Sequence, residues 1–266
     1  MSWSFYSGLR DDANLGRVAL VTGGGTGIGR ATALEFARTG ARVVVAGRRP
    51  EPLEETRALV ERLGGECVAV PTDVREPEQS DALVEAALER FGPIDVLVNN
   101  AGGQFIAPAE EISPNGWRAV HRLNVDAVWY LTRLVATRSM IPGGGGLVVF
   151  VGLSPRRALP GMAHASAARA AVENLGRTLA IEWGRHGIRT ATVTPGVIRT
   201  EGLDGYGAEA IAQWEREVPL GRLGAPEEVA AVIAFLASPG GAYVSGATIV
   251  VDGGIDAMGL GRLPSS

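Results

Sequence analysis

Gly23, Gly24, Gly25, Thr26, Gly27, Ile28 and Gly29 follow the apolar run 17–22 and open a helically spaced segment, 27–39. Glycines let a backbone turn tightly and come close to a phosphate. The free N–H groups and positive dipole end of the following helix favour an anion. A glycine-rich turn alone is weak evidence, and the spacing here is TGxxxGIG. Its position between a strand and a helix is what the mechanism requires. The next apolar run, 42–46, leads to Gly47, Arg48 and Arg49. A site for an unphosphorylated ribose usually carries Asp or Glu about 20 residues past the glycines. Two arginines suit a 2′-phosphate instead, through charge and forked geometry. The plain alternative is a solvent-facing helix start. Together the signals predict an NADPH/NADP site in preference to NAD(H).

What could act on a substrate is narrowed by composition. All 25 basic residues are arginine, so no lysine is available for catalysis. Cys67 is the only cysteine, which excludes a disulfide framework and a cysteine metal cluster; it reads as a buried thiol. The net charge of −4 and the lack of a basic block argue against nucleic acid as a partner.

The elements that must position these residues alternate. Continuous apolar runs at 17–22, 42–46, 66–70, 94–98, 147–151, 188–193 and 248–251 read as buried strands. Helical spacing occupies 27–39, 52–63, 78–91, 114–138, 161–185 and 226–237. The pattern predicts an α/β fold: a Rossmann-type, doubly wound parallel sheet with helices on both faces. The 266 residues suit a single dinucleotide-binding domain, 1–266, with its core at about 16–254 and short extensions. The glycine run 143–146 reads as a turn, 200–220 as an irregular flap or lid, and the chain from Ile255 as a tail. No run approaches the roughly 20 apolar residues of a membrane span. The first ten residues lack an apolar signal core. These features predict a soluble, cytoplasmic protein with no membrane partner.

Further segments carry a resemblance. Asn99, Asn100, Ala101 and Gly102 resemble the NNAG motif of the short-chain dehydrogenase/reductase family. Asp73 and Val74 are similar to its adenine-contacting pair, and Asn124 to its active-site helix asparagine. Pro195, Gly196, Val197, Ile198 and Thr200 resemble its PGxIxT loop beside the nicotinamide, and 244–254 its C-terminal strand. The match runs in order from about Gly16 to Gly254. It implies a homo-oligomer, commonly a tetramer.

In that family a carbonyl is reduced by Ser, Tyr and Lys, the last two spaced YxxxK. The phenol protonates the developing alkoxide and the lysine tunes the phenol and holds the nicotinamide ribose. Here Gly152, Ala165 and Arg169 fall at the three positions. None of the four tyrosines, Tyr6, Tyr130, Tyr206 and Tyr243, falls near the start of this helix in sequence. Arg169 lies one helical turn after Ala165 and is placed to hold the ribose, without being equivalent to lysine. The segments 99–108, 112–117 and 161–174 resemble the trans-2-enoyl-CoA reductases within the family, with the dienoyl-CoA reductases more distant.

The departure is chemically intelligible. Hydride delivered to Cβ of an enoyl thioester leaves an enolate on the thioester oxygen. It needs hydrogen-bond donors, and its Cα can be protonated later by a weak acid or water. Asn124, Ser154, His164, Ser166 and Gln104 are the candidate donors. His164, beside the vacated tyrosine position, is also a candidate carbon acid or a helix-start histidine bonded to backbone. The reading is an NADPH-dependent reductase of a 2-enoyl thioester. The alternatives are a carbonyl or alcohol oxidoreductase with an unusual proton relay, or a catalytically silent NADP(H)-binding subunit.

Overall fold

Val18, Ala19, Leu20 and Val21 are all completely buried. A strand reaches that state only when both faces of its sheet are covered. In the computed structural model, which describes residues 7–153 and 159–258 (backbone alone for 204–206), this strand lies near the middle of a seven-stranded parallel sheet. The strands are β1 (Val18–Thr22), β2 (Arg42–Gly47), β3 (Cys67–Pro71), β4 (Val96–Asn99), β5 (Gly146–Val151), β6 (Ile188–Pro195) and β7 (Ala247–Val251). Their order is β3-β2-β1-β4-β5-β6-β7, the doubly wound arrangement expected from the alternating pattern.

Side chains alternate across the sheet. Ala19 and Val21 join Phe36 of α1 (Gly27–Arg38), Leu53 of α2 (Pro50–Arg62) and Ile233 of a later helix, 226–237, in one core. Val18 and Leu20 join Leu83 of α3 (Pro77–Phe91) and residues of the helices after β4 in the other. Each such side chain contributes about 1.5–3 kcal/mol on burial. The strand order reverses between β1 and β4, and ligands of such sheets bind at the carboxyl ends there.

The helical stretch after β4 runs over 114–143, longer than expected, and twice leaves α geometry. α4 (Pro114–His121) passes through a π-helical turn, Arg122–Asp126, into α5 (Ala127–Val135). A second π turn, Ala136–Met140, leads to α6 (Ile141–Gly143). Then come α7 (Ala163–Trp183), α8 (Ala208–Glu217) and α9 (Pro226–Ala237).

The segment read as an irregular flap is helical: a 3₁₀ turn, Glu201–Tyr206, precedes α8. Leu203, Ile211 and Trp214 pack on a small core of Val218, Leu223 and Ile255. Ile255, the first residue of the expected tail, is therefore an anchor. No described helix is long and apolar enough to cross a membrane.

Candidate active site

β1 and β4 are tied together where the sheet reverses. Thr22 Oγ1 donates to Val98 O at 3.2 Å and accepts from the N–H groups of Asn100 and Ala101 at 3.1 and 2.9 Å. Asn100 Nδ2 donates to Thr22 O at 2.9 Å and Gly23 O at 3.3 Å. A Cβ at Gly29 would stand 2.1 Å from Gly23 O, so only glycine lets α1 start this close to the turn. The N-cap Thr26 makes no side-chain cap and the first turn of α1 holds no acidic residue. Its leading N–H groups therefore face the space beside the turn without a local partner.

That space is a cleft of about 540 Å³, the size of a small-ligand site. Gly23, Gly25, Thr26, Gly27, Ile28, Arg48, Arg49, Asp73, Val74, Asn100, Ala101, Gly102, Arg169, Pro195, Gly196, Ile198 and Thr200 all line it. Gly29 and Val197 are not among the lining residues; Val197 packs on the small core of Val218, Leu223 and Ile255. Arg48 and Arg49 are exposed and form no hydrogen bond or ion pair among the described residues. Asp73 is held differently: Arg75 grips its carboxylate through Nε and Nη2, which pulls it down to about 2. Its backbone N–H donates to Gln79 Oε1 at 2.8 Å. One end of the cleft thus offers helix N–H groups and unpaired guanidinium groups, a set suited to phosphates.

The other end is where hydride chemistry would occur. Arg169, on α7, donates from Nη1 to Val151 O at 2.5 Å, while its Nε is buried with no partner. Burial pushes its guanidinium down to about 10, which leaves it charged at neutral pH. A Cβ at Gly102 would fall 2.0 Å from Arg169 Nη2; the glycine of the NNAG turn is the space the guanidinium occupies. The vacated serine position is crowded, since a Cβ at Gly152 would lie 3.0 and 3.1 Å from the methyls of Thr194 and Thr192. Ala165, at the tyrosine position, is sealed with Ala168 and Val120 in an apolar cluster. No tyrosine, serine, histidine or lysine is among the described lining residues.

The expected donors separate. Asn124 is completely buried in the π turn. Its Nδ2 donates to Gly103 O at 2.8 Å and Val120 O at 3.0 Å, and its Oδ1 accepts from Gly103 N–H at 3.3 Å. The side chain reaches from the π turn back to the carbonyl of Val120, four residues earlier. Asn124 has no hydrogen left for a substrate; it pins the turn carrying Gly102 and Gln104.

His164 is completely buried, with neither ring nitrogen partnered among the described residues, and Phe105 stands edge-on to it at 4.2 Å. It is not among the residues that line the cleft, and it is not bonded to backbone among the described residues. Ser166 Oγ is likewise buried and unpartnered. Gln104 lines the cleft. Ser154 lies outside the described residues. Sequence reasoning missed Glu201, whose Oε2 accepts from Gly27 N–H at 3.2 Å; a contact spanning 174 residues leaves no local signal.

Comparison with known proteins places this geometry. A family model described as enoyl-(acyl carrier protein) reductase matches residues 23–256. The chain is 38% identical over 243 residues to a probable 2,4-dienoyl-CoA reductase, (2E)-enoyl-CoA-producing, of Bacillus subtilis (strain 168), covering 90% of this chain and 96% of the relative. It is 39% identical over 246 residues to gluconate 5-dehydrogenase of Gluconobacter oxydans (strain 621H), covering 90% and 94%. The solved structure of a citronellol catabolism dehydrogenase from Pseudomonas aeruginosa PAO1 superposes with a TM-score of 0.83 at 41% identity, covering 93% of this chain and 98% of that one.

Proposed function

Because this chain belongs to the short-chain dehydrogenase/reductase family of oxidoreductases, we propose that it reduces the carbon–carbon double bond of a 2-enoyl thioester with NADPH. The observation that carries the reading is the reacting end of the cleft. It holds a buried guanidinium, Arg169, with no carboxylate partner and no phenol beside it among the described residues. The dienoyl-CoA reductase relative supports the same chemistry.

The cofactor's phosphates meet the turn Gly23–Gly29 and the start of α1. Arg48 and Arg49 take the 2′-phosphate, and Asp73 and Val74 border the adenine. Asn100, Ala101 and Gly102 line the middle, Pro195, Gly196 and Ile198 the nicotinamide end with Val197 beside them outside the lining, and Thr200 stands against Gly27 at the phosphate end. When bound, the cofactor supplies a hydride. Reduction of a ketone creates an alkoxide that needs a proton at once, and no Tyr, Ser, His or Lys lines this end of the cleft among the described residues. Reduction of a conjugated thioester moves charge onto the thioester oxygen instead. Arg169 supplies a fixed positive charge there, held in place by its bond to Val151 O, so that no reorganisation is needed as the charge develops. The same guanidinium holds the nicotinamide ribose. Gln104 donates to the oxygen as a second, exchangeable group. Asn124 is a positioning residue, and Cα is protonated by water from the open side of the cleft. His164, buried and outside the cleft lining, acts as carbon acid only if it moves to reach the cleft. Assembly as a cytoplasmic homotetramer, with the whole chain acting as one domain, belongs to the same proposal.

NADPH oxidation at 340 nm tests it, with crotonyl-CoA and 2,4-hexadienoyl-CoA set against acetoacetyl-CoA and 5-ketogluconate. Turnover of the unsaturated thioesters alone is expected. Turnover of the ketones alone refutes the reading, and NADPH binding without turnover of any of them points to the silent subunit.

A further inference from the structure

We propose that Glu201 is a strap that holds the lid over the cleft by occupying the N–H group the cofactor's phosphates need, so that lid release and dinucleotide binding are one event. The inference rests on reading the cleft as a dinucleotide site.

The lid meets the start of α1 at Gly27. Glu201 Oε2 accepts from the N–H of Gly27, the first residue of α1. The Thr200 methyl closes on the same spot, 3.0 Å from where a Cβ at Gly27 would be. The helix has no cap of its own: Thr26 makes no side-chain bond to it, and its first turn lacks Asp and Glu. An uncapped helix start attracts an anion, and the carboxylate that arrives comes from the far end of the chain. Gly27, Thr200, Glu201 and Gly202 line one wall of one cleft, so carboxylate and phosphate cannot both take that N–H.

The strap is connected to a body that can respond. Glu201 begins the 3₁₀ turn that leads into α8. Behind it, Leu203, Ile211 and Trp214 rest on Val218, Leu223 and Ile255. Arg199, just before the strap, pairs with Glu215 on α8. A shift of Glu201 is therefore carried into α8. Displacing the carboxylate replaces a single-oxygen contact with a phosphate group of higher charge, and the freed lid is released for substrate entry.

Hydrogen exchange of residues 201–217, together with calorimetric titration of NADP⁺, tests the strap in E201Q and the unaltered protein. Without ligand, E201Q is expected to speed exchange of the lid at least about threefold, since loss of a helix-end charge interaction has that order of effect. NADP⁺ is expected to bind E201Q roughly three- to tenfold tighter. Millimolar inorganic pyrophosphate speeds lid exchange in the unaltered protein and leaves E201Q unchanged. Lid exchange that is the same in ligand-free E201Q and the unaltered protein overturns the strap, whatever the affinities. Faster exchange with unchanged or weaker NADP⁺ affinity overturns the competition. Failure of the unaltered protein to bind NADP⁺ overturns the dinucleotide reading instead, and the ligand-free exchange still judges the strap.

Discussion

Replacing Arg169 with methionine separates the two roles a buried charge can have. The guanidinium donates to Val151 O, fills the space left by Gly102, and leaves Nε unpartnered. Burial lowers it from the ordinary guanidinium range to about 10. The group is charged in both folded and unfolded chains below that pH, so the burial penalty is fully present at neutrality. It disappears only as pH rises between the two values. A shift of this size corresponds to at most about 3 kcal/mol. The side chain is half-buried, and water at its open edge leaves roughly 1–2 kcal/mol of that. Against this, the Val151 carbonyl loses its donor, costing about 1 kcal/mol. R169M is therefore expected to leave the Tm unchanged or raise it by up to about 4 °C. In the same protein, kcat on an enoyl thioester falls about 10²–10³-fold, the usual consequence of removing a group aimed at developing charge. Thermal unfolding by circular dichroism and the 340 nm assay read the two effects separately. A Tm fall of several degrees would refute the account of an unpaired, destabilising charge. A kcat within a few-fold of the unaltered protein would refute its part in the reaction.

Removing both Arg48 and Arg49 is expected to weaken NADPH binding by about 10²-fold, since each charge-assisted bond contributes roughly 1.5–3 kcal/mol, while NADH affinity changes little; fluorescence titration of both dinucleotides reads the difference. G29A forces a Cβ against Gly23 O, so dinucleotide binding by calorimetry is lost, at a stability cost of about 1–3 kcal/mol seen in urea unfolding. Asp73, drawn from 3.8 to about 2 by Arg75, contributes stability above pH 4 that is lost as pH falls through 2; D73N should flatten that acid limb in a series of melting curves.

The fold was legible because buried parallel strands leave continuous apolar runs such as Val43, Val44 and Val45, and because the glycines at 23–29 sit where only a strand–helix turn fits. Most of the cleft lining was legible for the same reason: the residues that line it cluster at strand ends. The lid was not. Ile211, Trp214 and Val218 have helical spacing, but the chain there is short and polar, and its helix is held by Leu223 and Ile255 from elsewhere. The donors were not legible either. Asn124 and His164 are polar residues at the expected places, yet one is fully engaged by Gly103 and Val120 and the other is buried against the Phe105 ring, outside the cleft lining. Sequence spacing gives the turn of a helix on which a residue lies, and not which of its hydrogen-bonding groups remain free.

The central claim is reduction of a carbon–carbon double bond beside a thioester, and the fate of a labelled hydride tests it most directly. With NADPH deuterated at the transferring position and crotonyl-CoA as substrate, mass spectrometry and NMR of the product should find one deuterium at Cβ of butyryl-CoA, the thioester intact. Crotonyl-CoA returned unchanged, while acetoacetyl-CoA in a parallel reaction takes up deuterium at its carbinol carbon, would contradict the account.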